Sequence, residues 1–275
     1  MDVKKKVFAE LEQFIAPETI LATNTSSLSI TEMASGLEHP ERVVGFHFFN
    51  PVAVLPSSRS SRAARPTMPL ATAFATAKSL KKSAVLCGDK AASSSTASSP
   101  APWVRSCPPS TKAPFDVADN AIAELGMPMS PFTLLALVGP AVALHTGETL
   151  QESYPDRFKS SPGLEALVEA RKPGVWTWGE NGQAVDPEVA ALWPQGDKVS
   201  TSEEVLERTR RAFAEEIQIM LDEGVVAAAE DIDLCLLLGG GFGFWNGGIT
   251  PYLDRTGTSE AVNGKRFLAP GVASV

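Results

Sequence analysis

The sequence lacks the features that mark several large classes of protein. It has no excess of basic residues, because 24 Lys and Arg stand against 32 Asp and Glu, and this balance argues against a nucleic-acid partner. Cysteine is scarce, and Cys87, Cys107 and Cys235 have neither metal-ligand nor disulfide-framework spacing. These absences favour a reducing compartment and predict no metal site.

Long apolar runs are also missing. The longest run, Phe132 to Leu144, falls short of the about 20 residues that span a bilayer. The N-terminus, MDVKKKVFAELEQF, lacks the continuous apolar core of a secretion signal. We therefore expect a cytoplasmic protein without a membrane span. With 44% hydrophobic and 20% charged residues, the 275-residue chain has the composition of one or two globular domains.

The first 50 residues alternate helix and strand in the way that is typical of a parallel sheet. Apolar residues recur at helical spacing over residues 2–15, and apolar runs of strand length follow at 19–23 and 43–49. Between these strands, Ser29 and Glu32 have the spacing of a capping box and predict a short helix. This order predicts the start of an α/β domain.

The pattern then becomes helical. Residues 70–87 predict a helix followed by a strand, and a further helix is expected over 116–126. Another helix is predicted over 130–150, with Ser130 as its N-cap and a proline in its first turn. Residues 201–239 supply two more helices.

A weak internal repeat is visible among these helices. Asn120–Phe132 can be laid on Asp233–Trp245, and this alignment matches Gly126 with Gly239. Two copies of one helical unit, packed together, would bury the apolar faces that each exposes alone.

Two segments break the pattern. Residues 57–69 and 91–112 are rich in Ser, Pro, Ala and Arg and contain no Asp or Glu. Such composition is typical of linkers or disordered chain, so we expect poor order in both.

Several runs carry a resemblance to a known family. ILATNTSSLSIT, VVGFHFFNPV and PFDVADNAIAELGMPMSPFTLLALVG together resemble the L-3-hydroxyacyl-CoA dehydrogenases, in particular the dehydrogenase part of the multifunctional fatty-acid oxidation enzymes. The closing run, FWNGGITPYLDRTG, resembles the second helical repeat of those multifunctional proteins. The match covers most of residues 1–56, 70–86 and 114–275.

The resemblance implies an α/β plus all-α fold. A truncated Rossmann-type dinucleotide-binding domain is expected over residues 1–113, followed by a helical C-terminal domain over 114–275 with repeats at 114–155 and 203–275. The resemblance also implies NAD as the cofactor and an acyl-CoA as the substrate. Either a homo-oligomer or a place in a multifunctional β-oxidation complex is expected.

The resemblance assigns roles to five residues. His47 would be the general base for the substrate hydroxyl, a task that suits a neutral imidazole. Ser26 and Asn50 would hold the substrate oxygen, while Asn24 would lie beside the nicotinamide and Lys4 near the cofactor. A plainer reading stays open, because a histidine at a strand end is often only a hydrogen-bonded rim residue and NTSS can be only a turn and cap.

Three departures from the family pattern stand out. The chain begins inside the cofactor domain, and no G-x-G-x-x-G loop is present, since LGGGFGFWNGG has different spacing. Arg59 occupies the position of the glutamate that orients the catalytic histidine. Residues 91–97, AASSSTA, stand where the family has a substrate-side asparagine.

We interpret both anomalous segments as the family's own coding sequence read in a shifted frame. Leu-Val-Glu-Val-Val in GC-rich codons, read one nucleotide later, gives Ser-Ser-Arg-Ser-Ser, which is residues 57–61. The same shift turns Gly-Phe-Val-Val-Asn-Arg-Leu into residues 92–98. A natural Ser/Pro linker is the alternative. The hypothesis predicts impaired activity, because Arg59 would disfavour an imidazolium at His47.

The leading functional prediction is therefore NAD-dependent oxidation of a 3-hydroxyacyl-CoA in fatty-acid β-oxidation. A non-catalytic remnant, whose helical region survives as a folding or dimerisation module, is the alternative. A different dehydrogenase with a Rossmann half and a helical domain is a third possibility.

Overall fold

A computed structural model describes residues 1–25, 28–49, 52, 56–62, 68–89, 111–112, 115–179, 182–193 and 198–272. Within these residues a four-stranded sheet with flanking helices comes first, and a larger group of helices follows. The predicted order of an α/β part and then a helical part is confirmed.

The main sheet is mixed. Its strands, in spatial order, are β1 (Leu21–Thr23), β2 (Val43–Phe48), β3 (Ser57–Arg62) and β4 (Ser83–Gly88). The β1–β2 and β3–β4 pairs are parallel, whereas β2 and β3 are antiparallel. The wholly parallel sheet that the helix-strand rhythm indicated is therefore wrong at one pair.

Helices cover both faces of this sheet. They are α1 (Asp2–Glu12), α2 (Ile30–Ala34) and α3 (Met68–Ser79). Val43 packs with Phe8 of α1 and Met33 of α2, while Val44 packs with Leu70 and other residues of α3. Because successive side chains of a strand point to opposite faces, β2 is buried on both sides at its start.

The helical part follows from Phe115. Its α-helices are α4 (Phe115–Asn120), α5 (Pro131–Val138), α6 (Pro140–Ser153), α7 (Pro162–Glu169), α8 (Pro187–Leu192), α9 (Ser202–Asp222), α10 (Ala229–Cys235), α11 (Ile249–Arg255) and α12 (Thr258–Asn263). A π-helical turn, Leu236–Gly240, extends α10. Two small sheets join β5 (Thr111–Lys112) with β8 (Lys198–Val199), and β6 (Trp176–Gly179) with β7 (Gly182–Val185).

The structure corrects the expectation of poor order for residues 57–62 and 111–112 of the two anomalous segments. Residues 57–62 form β3 between β2 and β4, and residues 111–112 form β5. Sheet pairing uses backbone N–H and C=O groups, which serine supplies as well as valine does. Position between ordered strands therefore outweighs weak strand propensity. Residues 63–67 and 90–110 lie outside the described residues.

The single helix predicted over residues 130–150 is wrong. α5 ends at Val138, α6 begins at Pro140, and the two helices are bent by 100°. Gly139 lies between them with a φ of 92°, and Pro140 has no N–H to continue the preceding helix. No single helix among the described residues is long and apolar enough to cross a bilayer, and only the bent pair α5 and α6, taken together, meets that length and composition.

Two buried aspartates hold the starts of later helices. Ser130 is the N-cap residue of α5 as predicted, but its hydroxyl makes no capping bond, and the Phe132 N–H donates instead to Asp119 Oδ1 at 2.9 Å. Asp233 of α10 accepts in the same way from the Thr250 N–H, at 2.8 Å, at the start of α11. In both places an aspartate side chain thus links one helix to the start of a later helix.

Each of these two regions also contains a turn at a glycine, but the two glycines that correspond are not the pair predicted from the sequence. Gly126 and Gly241 both adopt left-handed conformations, with φ of 69° and 72°. The structure therefore pairs Gly126 with Gly241 instead of Gly239. The two-residue offset has two sources: Asp233 corresponds to Asp119 and not to Asn120, and the π turn at Leu236–Gly240 holds one extra residue relative to an α-helix.

Candidate active site

A pocket opens where β1 and β2 end. It has a volume of about 430 Å³ and is lined by Val3, Lys4, Val7, Phe8, Ala22, Thr23, Asn24, Phe46 and Phe48. Lys4 and Asn24, the two predicted cofactor residues, therefore lie in one pocket.

Strand register explains this grouping. β1 and β2 are parallel and pair Thr23 with Gly45, so their carboxyl ends lie side by side. Ligands of open α/β sheets bind at such ends. α1 brings Lys4 to the same place because Phe8, one turn later, is buried against Leu21 of β1.

The pocket combines apolar walls with a few polar groups. Phe46 and Phe48 offer aromatic surface, while Lys4, Thr23 and Asn24 offer an ammonium, a hydroxyl and an amide. Such a lining fits the nicotinamide end of NAD, which has a flat ring and a carboxamide. In the part of the chain that the structure describes, no group of three His, Cys, Asp or Glu could hold a metal ion.

His47 is not among the residues that line this pocket. Side chains alternate along a strand, so His47 points away from Phe46, yet its ring lies 6.3 Å from the ring of Phe48 and nearly parallel to it, at 19°. The His47 and Phe49 ring centroids are 6.3 Å apart, with the ring planes at 85°. The predicted base therefore lies at the same end of the sheet as the predicted cofactor residues, and its ring adjoins Phe48 of the pocket lining.

Ser26 and Asn50, the predicted substrate-oxygen ligands, lie outside the described residues. Their neighbours are placed. Thr25 Oγ1 accepts a hydrogen bond from the Leu28 N–H at 3.3 Å, and Phe49 is buried with 7% of its surface exposed.

Arg59 stands directly opposite His47 across the antiparallel pair of β2 and β3. Residues that face each other in such a pair have Cβ atoms about 4.5–5.5 Å apart and lie on the same face of the sheet. The register thus puts position 59, where the family resemblance implies a glutamate, beside the histidine.

Sequence analysis missed Asp89, which follows β4. Its carboxylate accepts hydrogen bonds from the Ile30 N–H at 2.8 Å, the Thr31 N–H at 2.6 Å and the Ser29 hydroxyl at 2.9 Å. It therefore fixes the start of α2, just beyond the NTSS turn. No local pattern signals this role, because 58 to 60 residues separate Asp89 from its partners.

This geometry defines a class of protein, a dinucleotide-binding fold joined to a helical domain. Comparison with known families identifies the family. The model of the 3-hydroxyacyl-CoA dehydrogenase NAD binding domain matches residues 1–90. The model of the C-terminal domain of the same family matches residues 111–179. The chain belongs to the 3-hydroxyacyl-CoA dehydrogenase family, and the family confirms the predicted NAD-binding and helical parts.

Curated relatives agree with this assignment. The fatty acid oxidation complex subunit alpha of Acinetobacter baumannii (strain SDF) is 31% identical over 304 residues, covering 98% of this chain and 41% of the relative. The protein of the same name from Acinetobacter baylyi is 28% identical over 312 residues, with the same two coverages. The chain thus spans less than half the length of these relatives.

Solved structures show the same fold. The 3-hydroxybutyryl-CoA dehydrogenase of Escherichia coli K12 superposes with a TM-score of 0.66 at 20% identity, covering 99% of this chain and 78% of that chain. FadB2 of Mycobacterium tuberculosis is 30% identical, with a TM-score of 0.54 and 62% coverage of each chain.

Proposed function

We propose that this chain performs the dehydrogenase step of fatty-acid β-oxidation, which is the oxidation of a 3-hydroxyacyl-CoA to the 3-ketoacyl-CoA. We also propose that its rate is lower than that of an intact family member. The observation that carries the proposal is the pocket shared by Lys4 and Asn24 at the carboxyl ends of β1 and β2. It lies within the residues that match an NAD binding domain. NAD, when bound, accepts the hydride that leaves the substrate carbon.

The chain's own residues divide the remaining work. His47 accepts the proton of the substrate hydroxyl, while Ser26 and Asn50 hold that hydroxyl oxygen. Asn24 and Lys4 hold the nicotinamide end of the cofactor. Because the His47 ring adjoins Phe48 of the pocket at the end of β2, a substrate at that end of the strand reaches both the base and the cofactor.

Cofactor binding is the first test. We expect NADH to bind the purified chain, with a rise in NADH fluorescence and in the melting temperature, because a ligand of the folded state stabilises it. Lys4→Ala should weaken NADH binding about tenfold, which corresponds to about 1.4 kcal/mol. Lys6→Ala is the matched control, because Lys6 is exposed on the same helix and does not line the pocket.

Equal losses for both lysine variants would contradict the role of Lys4. A folded wild-type chain that neither binds NADH nor gains stability from it would contradict the proposed function. Turnover of 3-hydroxybutyryl-CoA with NAD then measures how far the rate is impaired. A rate comparable to that of an intact family member would contradict the proposed impairment.

The alternative is a non-catalytic remnant whose helical region is a folding or dimerisation module. One observation favours it: among the described residues, the largest hydrophobic cluster draws more than half of its buried members from α9, α10 and α11. NADH should leave the melting temperature of such a remnant unchanged.

We also propose a cytoplasmic location and either a homo-oligomer or a place in a multifunctional β-oxidation complex. The relatives named as alpha subunits of the fatty acid oxidation complex support the second of these assemblies. Size measurement of the purified chain, alone and with a candidate complex partner, distinguishes the two.

A further inference from the structure

The end of β2 is buried against the helical part of the molecule. Phe49 belongs to the same hydrophobic cluster as Val85 of the sheet and Ile232, Leu236 and Phe242 of the second helical unit. We define the second helical unit as residues 202–263, from α9 to α12. The strand that carries His47 therefore ends in a contact with this unit.

The contact requires a glycine. A Cβ built on Gly239 would lie 2.5 and 2.6 Å from Cδ2 and Cζ of Phe49, and closer still to Cε2, so any side chain would displace the ring. Gly239 has no positive φ, so its backbone conformation is open to other residues. Glycine is therefore required at this position by the nearby Phe49 ring and not by the backbone conformation.

The contact lies within the π-helical turn Leu236–Gly240. Such turns are single-turn insertions in α-helices and are frequent at functional sites. A second tie joins the same two parts, because the Gly88 N–H at the end of β4 donates to the Val225 carbonyl at 2.7 Å.

We infer that the second helical unit positions the end of β2, and that Gly239 is a positioning residue for His47. Gly239 acts through Phe49, whose ring lies edge-on to the imidazole at 6.3 Å between centroids. A shift of Phe49 moves the backbone that carries His47, since only Phe48 lies between them in the chain. The role of His47 itself rests on the proposed function. The C-terminal family match ends at residue 179, so it assigns nothing to this unit.

Neighbouring glycines supply a matched pair of variants. Gly239→Ala adds a methyl group against the Phe49 ring, whereas at Gly240 a Cβ meets only the end of the Leu236 side chain, at 3.2 Å. The readout is the pair of imidazole ring nitrogen signals of His47 in NMR spectra, which are easily assigned because the chain has 3 histidines. We expect Gly239→Ala to shift or broaden these signals and Gly240→Ala to leave them in place.

A double variant tests whether the effect passes through Phe49. Phe49→Leu shortens the side chain and makes room for the methyl group of Gly239→Ala. The His47 signals of the double variant should coincide with those of Phe49→Leu alone, as expected for two residues that act through one contact. Melting temperatures of all variants report the accompanying loss of stability.

Several results would overturn the inference. They are unchanged His47 signals in a folded Gly239→Ala variant, equal shifts in both alanine variants, or a double variant that still departs from Phe49→Leu. If Gly239→Ala does not fold, the wild-type chain decides: nuclear Overhauser contacts between the Phe49 ring and the Gly239 Hα protons support the inference, and their absence overturns it. None of these readouts needs turnover, so a chain that fails to bind NADH contradicts the proposed function alone.

Discussion

Position 59 bears on the chemistry proposed for His47. In the proposed reaction, removal of a proton from the substrate converts His47 to an imidazolium, and a cation at the facing position of the sheet would raise the free energy of that product. The register places Arg59 directly opposite His47 in the adjacent strand. A carboxylate at position 59 would instead stabilise the imidazolium.

We predict that Arg59→Glu increases the turnover of 3-hydroxybutyryl-CoA by about tenfold or more, since about 1.4 kcal/mol of transition-state stabilisation gives tenfold in rate. Arg62→Glu is the control, because it makes the same charge change in β3 at a position that the register does not pair with His47. NADH formation at matched protein and cofactor concentrations measures both. Equal gains in the two variants would assign the effect to overall charge.

Asp233 is a second residue whose surroundings set its behaviour. Burial raises the pKa of its carboxyl from 3.8 to about 6, despite hydrogen bonds from Thr250 that favour the ionised form. The folded chain therefore binds this proton more tightly than the unfolded chain does. The stability contributed by Asp233 is smallest at neutral pH and increases as the pH falls through 6 toward 4.

We predict that the difference in the free energy of unfolding between wild type and Asp233→Asn changes by about 2 kcal/mol between pH 7 and pH 4, in favour of the wild type at the lower pH. Urea titrations at several pH values measure it. Asp116→Asn makes the same substitution at an exposed position and is the control. A difference that is constant with pH would contradict the raised pKa.

The secondary structure of a segment in this chain depends on the neighbouring strands as well as on its own composition. β3 is built from SSRSSR, yet it pairs with β2 on one side and β4 on the other. In contrast, the break between α5 and α6 is local. Gly139 takes a φ of 92°, which L-residues rarely adopt, and Pro140 begins the next helix.

We predict opposite effects for two glycine substitutions in this region. Gly139→Ala should lower the free energy of unfolding by about 1–3 kcal/mol, because a side chain at that φ is strained even with open space around it. Gly147→Ala should raise it by about 0.5–1 kcal/mol, because Gly147 lies in the interior of α6 with room for a Cβ. Chemical denaturation measures both, and losses of equal size would contradict the strained turn.

At the scale of the whole molecule, sheet and helices share one hydrophobic cluster. Phe49, Val85 and Cys87 of the sheet part pack with Cys235 and Leu236 of the second helical unit. A shared core couples the unfolding of the two parts, since opening either one exposes apolar surface of the other.

We predict a single unfolding transition in which Cys87 and Cys235, both buried, become accessible to a thiol reagent at the same denaturant concentration. Val85→Ala should lower both midpoints together and reduce the free energy of unfolding by about 1–3 kcal/mol, because Val85 is 2% exposed. Mass spectrometry of labelled peptides separates the two thiols. Labelling of Cys87 at lower denaturant than Cys235 would show that the parts unfold separately.

The sequence by itself determined the features that depend on local patterns. Apolar spacing located α1, β1, β2, α3, β4, α9 and α10, the Ser29–Glu32 spacing located α2, and motif resemblance singled out His47, Asn24 and Lys4. The helices and strands were predictable because each imposes its own period on the side chains that it buries.

Only the tertiary structure decided what depends on partners far along the chain. It made a strand of residues 57–62, put Arg59 beside His47, gave Asp89 the start of α2, and set Phe49 on Gly239. The physical reason is the same in each case. Backbone pairing, hydrogen bonding and close packing act through space, and no spacing in the sequence records which distant residue will stand opposite.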